Sequence, residues 1–102
     1  MKTDILIDRK QILTIIRNEK PYLQKHFGLL SIGLFGSFAR DQQQPESDID
    51  LLVELSEASF DALAGLQIYL EERLGHPVDL IRKRKGMRER FLKRIEKDIQ
   101  HA

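Results

Sequence analysis

Three aspartates carry the chemistry legible in this chain: Asp48 and Asp50 in the stretch DIDLLVEL, and Asp79 in HPVDLI. On an extended strand, side chains two residues apart share a face. Asp48 and Asp50 therefore project together with Leu52, while Ile49, Leu51 and Val53 point the other way. Two carboxylates opening an otherwise apolar strand repel one another and are costly to bury unpaired. A divalent cation relieves that repulsion, and Mg²⁺, a hard ion, is commonly shared between carboxylates and phosphates. Asp79 repeats the arrangement at the start of a short strand, between Val78 and Leu80. Upstream, Gly36-Ser37 supplies complementary parts. Glycine lets backbone approach a ligand closely, and a serine opening a short helix leaves free N–H groups suited to a phosphate. Arg40 either reaches the same anion with its guanidinium fork or remains a solvated surface arginine. Ser47 either orients Asp48 or simply turns the chain. Carboxylates for metal, amides for phosphate and a nearby cation are the parts of phosphoryl or nucleotidyl transfer, where two metal ions stabilise the attacking and leaving oxygens.

The elements that must position these residues follow from pattern. Asp8 with Gln11 resembles a capping box, and Ile7 with Ile12 a hydrophobic staple, at the head of a helix from about 8 to 25 that Gly28 stops. Leu29 to Phe35 (LLSIGLF) reads as a mostly buried strand. Phe38 to Ser47 is a short turn of helix or a loop, rich in glutamine and closed by Pro45. Asp48 to Leu55 is the second strand. Ser56 or Ser59 starts a helix whose core side carries Phe60, Leu63, Leu66, Leu70 and Leu74, ended by Gly75 and Pro77. Val78 to Ile81 is a third strand. A last helix, from about Met87 to Gln100, places Met87, Phe91, Ile95 and Ile99 four residues apart. The order α-β-(α)-β-α-β-α implies an α/β fold with a three-stranded sheet flanked by helices.

Connectivity constrains the sheet. Strands two and three are joined through a helix of crossover length and should run parallel, which brings Asp48 and Asp79 to one edge. For Gly36-Ser37 to face them, strand one must end at that edge, antiparallel to strand two. The result is a mixed sheet with one acidic corner.

Composition narrows the setting. The 102 residues are 41% apolar and 32% charged, as in ordinary globular domains, and are read as one domain, 1–102. The chain contains no cysteine, which excludes disulfides and thiolate metal sites. Charged residues interrupt the N-terminus before a signal-peptide core could form. No apolar run approaches the ~20 residues of a membrane span. A cytoplasmic protein is expected, with no membrane partner. Net charge is only +1, yet nine of the 17 basic residues lie between Arg82 and Lys97.

The string LLSIGLFGSFARDQQQPESDIDLLVEL holds Gly-Ser, ten further residues and then Asp-x-Asp. It resembles the signature of the DNA polymerase β-like nucleotidyltransferase superfamily, and most closely its minimal nucleotidyltransferase (MNT) branch. Asp79 in HPVDLI is similar to the third carboxylate of that family. One departure is Asp41, where the branch usually has glycine, which bears on the tight turn expected there and on the role of Arg40. The resemblance implies a nucleotidyltransferase fold, Mg²⁺ (two ions) held by Asp48, Asp50 and Asp79, and ATP as substrate. It further implies that Asp79 shares one metal and helps deprotonate the acceptor hydroxyl, with Gly36 and Ser37 on the phosphates. Members of the branch are commonly antitoxins paired with a HEPN-domain RNase toxin, and several are thought to transfer AMP to a toxin tyrosine. Other readings are a binding-only antitoxin and a stand-alone transferase for a small molecule.

Blander readings compete at several positions. A lone D-x-D is weak, because exposed strand ends often carry solvated aspartates; Gly-Ser at the proper offset and Asp79 behind it change the balance. The run Arg82 to Lys85 is read as a solvated loop, with partner docking or ATP guidance as competing roles. Scarce aromatic interleaving argues against direct nucleic-acid binding. Tyr22 and Tyr69 are expected at the edge of the core. His26 and His76 fall near helix ends and are assigned no metal. Arg94 and His101, taken as lying on the last helix, echo the R-x4-6-H RNase motif of HEPN toxins, but that motif belongs to an all-helical bundle. Twenty-three residues follow Asp79, room for one helix, so the acceptor surface is expected from a partner.

Overall fold

A computed structural model of the chain describes residues 7–57, 59–84 and 86–102. Helix α1 (Arg9–Phe27) starts at the capping box expected from sequence. The Asp8 carboxylate accepts from the Gln11 amide at 2.8 Å, and the Gln11 side chain accepts from the Asp8 amide at 3.0 Å. Gly28, at φ 69°, ends the helix in the left-handed conformation that glycine adopts without penalty. Strand β1 (Leu29–Phe35) leads into the single turn α2 (Gly36–Ala39), and β2 (Ile49–Leu55) follows. Helix α3 (Phe60–Leu74) is capped by Ser59, whose hydroxyl accepts from the Ala62 amide, and it stops at Gly75. Strand β3 (Val78–Arg82), helix α4 (Glu89–Glu96) and strand β4 (Gln100–His101) complete the order.

The sheet order is β3-β2-β1-β4, with β1 antiparallel to β2 and β4, and β2 parallel to β3. The mixed pairing matches the expectation from connectivity; the fourth strand does not. The periodicity of Met87, Phe91, Ile95 and Ile99 pointed to a helix running to Gln100, yet α4 ends at Glu96 and a turn follows. Ile99 keeps its place in the apolar series for another reason. It lies over Gly33 of β1, where the missing Cβ makes room for the Ile99 side chain. Gln100 and His101 then pair with Leu34 and Gly33. Arg94 and His101 consequently sit on different elements, and the RNase-like spacing has no helical meaning.

The two sheet faces are unequally covered. Ile49, Leu51 and Val53 of β2 turn toward α1 and α3 and join the main core with Ile12, Ile16 and Leu66. Leu52 turns the opposite way and meets Phe35 and Ile95 in a smaller cluster beneath α4. Tyr69 packs at the margin of the main core and stacks on the more exposed Tyr22 at 4.6 Å, as expected of edge residues. Phe60 departs from expectation: it is 82% exposed, whereas Leu66 and Leu70 of the same helix are fully buried. Position one of the helix stands before the stripe that meets the sheet. Among the described residues no helix is long and apolar enough to cross a membrane.

Urea denaturation can separate these roles. Leu66→Ala should cost about 3 kcal/mol, as expected for a truncated core leucine. Phe60→Ala should change stability by less than about 0.5 kcal/mol, as for surface substitutions in general. A large loss at Phe60 would mean that its ring is covered in solution.

Candidate active site

The register of the sheet brings the aspartates together. Phe35 of β1 lies opposite Asp50 of β2, and Asp50 lies opposite Asp79 of β3. Asp48 immediately precedes β2. The three carboxylates thus meet at the sheet edge where β1 ends and β2 and β3 begin. Their mutual influence is visible at Asp50, whose carboxyl is pushed up to about 6. Burial is the largest cause, followed by the negative charges of Asp79 and Asp48, while Arg40 pulls in the opposite direction.

Gly36 closes the corner from the other side. Its φ of 77° is left-handed, and a Cβ there would run into the Asp50 carboxylate, with Asp50 Cγ at 2.9 Å. Both the backbone angle and the lack of space demand glycine. No side chain caps the N-terminus of α2, so the amides at Gly36 and Ser37 lack a capping partner. After α2 the chain makes the tight turn expected there. Asp41 makes it at φ 56°, a region where aspartate is among the better-tolerated residues. The Arg9 guanidinium pairs with Asp41 at 3.1 Å and donates to the Ala39 carbonyl, holding the turn to α1.

Arg40 and Ser47 stand differently. Arg40 is exposed, with its guanidinium 3.5 Å from Asp98 and donating to the Gln42 side chain. It lines the same small groove as Gly36. The Ser47 hydroxyl accepts from the Gln44 amide at 2.9 Å, and the Ser47 amide donates to the Gln44 carbonyl. Its geometry is that of a closed turn.

Three positioning residues carry no sequence signal of their own. His76 Nε2 lies within hydrogen-bonding distance of the Ser47 carbonyl, and its ring meets Phe38 of α2 edge-on at 5.3 Å. The residue before Asp48, the residue after Gly75 and the helix after Gly36 are thereby tied together. From α3, Glu71 accepts the Val78 amide at 2.9 Å and Gln67 donates to the Val78 carbonyl at 3.1 Å. Both peptide groups of the residue preceding Asp79 are held. Only the fold places Gln67, Glu71 and His76 beside the acidic corner.

Whether the corner suits a metal can be judged from its donors. Among the described residues, no three carboxylate or imidazole side chains already stand as a metal-holding group. The donor set is nevertheless of the right kind. The aspartates supply hard oxygen donors, and Asp50 carries an electrostatic penalty that a divalent cation would remove.

Residues 13–101 match the nucleotidyltransferase domain family, and the chain belongs to that family. A protein of Methanocaldococcus jannaschii named as a candidate protein adenylyltransferase is 42% identical over 92 residues, spanning 87% of this chain and 92% of its own. The protein adenylyltransferase MntA of Thermococcus cleftensis is 37% identical over 79 residues, spanning 76% and 80%. Among solved structures, the tri-AMPylated Shewanella oneidensis HEPN toxin in complex with MNT antitoxin matches with a TM-score of 0.60 and 21% identity, covering 87% of this chain and 70% of the other. At that identity the likeness concerns the fold.

Two substitutions probe the corner. Gly36→Ala should lower stability by about 2 kcal/mol or more, through a strained left-handed residue and the clash with Asp50; unchanged melting would contradict the close approach. Asp50→Asn should do the opposite. Because Asp50's folded pKa exceeds its unfolded value, the wild type loses stability as pH rises from about 4 to 6, and neutral Asn escapes that loss. After discounting for partial exposure, the gain above pH 6 should be about 1 kcal/mol without divalent ions, vanishing below about pH 4. A pH-independent difference would exclude this cause.

Proposed function

We propose that this chain, acting as a single domain in the cytoplasm, transfers AMP from ATP to a tyrosine of a HEPN-domain RNase toxin with which it forms a complex, thereby neutralising it. The observation that carries the reading is the meeting of Asp48, Asp50 and Asp79 at one edge of the sheet, with Gly36 pressed against Asp50. The kinship with protein adenylyltransferases and the fold shared with an MNT antitoxin support the choice of nucleotide and partner.

In this reading Asp48, Asp50 and Asp79 would hold Mg²⁺, which would supply charge neutralisation for the triphosphate and the developing pyrophosphate. The amides at Gly36 and Ser37 receive phosphate oxygens, and Arg40 exchanges its exposed contact with Asp98 for the same anion. An ion pair of that exposure is weak and easily replaced. Asp79 accepts the proton of the tyrosine hydroxyl as its oxygen forms a bond to the α-phosphorus. The bond from the α-phosphorus to the bridging oxygen breaks, and pyrophosphate leaves with the electron pair. Ser47 keeps its turn and acts only by placing Asp48.

The test is intact mass spectrometry of the toxin after incubation with this chain and MgATP. Gain of at least one AMP unit is expected, falling by about a thousandfold or more in Asp48→Ala/Asp50→Ala, in line with the cost of removing a principal electrostatic stabiliser. A stable complex with unmodified toxin would favour a binding antitoxin. Modification of a metabolite without any second protein would favour the small-molecule transferase.

A further inference from the structure

We propose that the arginine-rich apolar trough between α3, β3 and α4 docks an acidic amphipathic segment of the acceptor protein and anchors it while its hydroxyl reacts at the acidic corner. The proposal deepens the transfer reading put forward above and rests on it. Two open grooves form the trough. One, about 530 Å³, sets Ile81, Met87 and Phe91 among Arg84, Arg88 and Arg90. The other, about 470 Å³, continues past Leu63 and Leu80 to Phe60 and Arg82. Ile81, Arg84 and Met87 line both, so the grooves are continuous. A turn at Gly86, with φ 83°, joins them, and across it the Met87 amide donates to the Arg84 carbonyl at 3.3 Å. At its other end the trough shares Phe91 and Arg94 with a smaller groove, about 250 Å³, that contains Gly36 and Arg40. It therefore runs up to the glycine that faces Asp50.

The side chains of the trough select its occupant. Ile81, Met87 and Phe91 are half-buried, and Phe60 is 82% exposed. Arg84, Arg88, Arg90 and Arg94 are all exposed, and among the described residues none is paired with a carboxylate. The acidic residue within that stretch, Glu89, lies 3.9 Å from Lys93 instead. Arginine, methionine and aromatic side chains are the types that protein interfaces concentrate, and arginine is a frequent anchor. Met87 adds a flexible side chain that adapts to its partner. A nucleic acid would answer the arginines but leave the aliphatic floor uncovered. A bilayer would meet Phe60 but not the half-buried side chains. A protein segment with carboxylates beside apolar residues answers both, and amphipathic segments seat their apolar face in grooves of this kind.

The basic cluster between Arg82 and Lys97, in a chain of net charge +1, is then a recognition surface. Anchoring one segment of the acceptor raises the local concentration of its hydroxyl at the corner. The trough holds the acceptor away from the reacting atoms. It governs how tightly the acceptor is bound and leaves the chemistry of the carboxylates unchanged.

Calorimetric binding of the purified toxin to the full chain tests this, with Arg84→Gln/Arg88→Gln/Arg90→Gln and, separately, Phe60→Ala. All four side chains are exposed and lie outside the groove that contains Gly36 and Arg40. Binding of a fluorescent ATP analogue with Mg²⁺ should therefore stay within about twofold of wild type in both variants. The arginine variant should bind toxin about tenfold more weakly or worse, with a shallower dependence on salt. Phe60→Ala should weaken toxin binding about fivefold. In the transfer assay the arginine variant should raise KM for the toxin about tenfold and keep kcat within about twofold. Unchanged toxin affinity in either variant, with the wild type still modifying the toxin, would overturn the docking surface and leave the transfer reading standing. If the arginine variant instead loses binding to an oligoribonucleotide or to phosphatidylserine vesicles while its toxin affinity is unchanged, the occupant is nucleic acid or lipid and the proposal is wrong. A wild type that neither binds nor modifies the toxin would remove the transfer reading and the docking surface together.

Discussion

Asp50 occupies a position that a carboxylate resists. Its charge is partly buried, flanked by Asp48 and Asp79 and pressed against the backbone of Gly36. Nothing in the local sequence would keep it there alone. The strand pairings hold it: Phe35 opposite Asp50 on one side and Asp79 opposite on the other. The ladder is rigid because Ile49, Leu51 and Val53 insert from the opposite face into the main core. The stability of that core is what offsets the electrostatic cost at the corner.

The unequal cover of the sheet explains why the corner is accessible. Helices α1 and α3 seal one face, while α4 alone, docked through Ile95 onto Phe35 and Leu52, shields part of the other. Beside α4 the apolar cover gives way to arginines and to the uncapped N-terminus of α2. Local contacts brace the chain around the corner. Glu71 and Gln67 clamp Val78, His76 joins Ser47 to Phe38, and Arg9 holds the Asp41 turn. Each fixes a chain segment next to the acidic corner or the α2 turn, so positional precision comes from neutral and paired side chains around the carboxylates.

Arg40 stands beside the corner in exposed contacts only. Its partner Asp98 is partly exposed and distant enough for the pair to be weak. Asp41 adopts a left-handed angle at the turn that follows Arg40 and adds its own link to Arg9.

Period and punctuation in the sequence determined much of this. The Asp8–Gln11 box, Gly28, Ser59 and Gly75 set helix ends through local hydrogen bonds that need no distant partner. Alternation along β2 set which face bears Asp48 and Asp50, and the crossover length set the parallel pairing that brings Asp79 alongside. Tertiary structure decided what local rules cannot contain. Ile99 satisfies the helical period of α4, yet its place is over Gly33, so the chain leaves the helix and adds β4. Phe60 opens the apolar series of α3, yet its ring lies exposed at the first position of the helix. His76, Gln67 and Glu71 are unremarkable in the chain and become positioning groups only where packing delivers them. The physical reason is the same in each case: caps and alternation act within a few residues, whereas space, burial and charge are fixed by neighbours brought together from far along the chain.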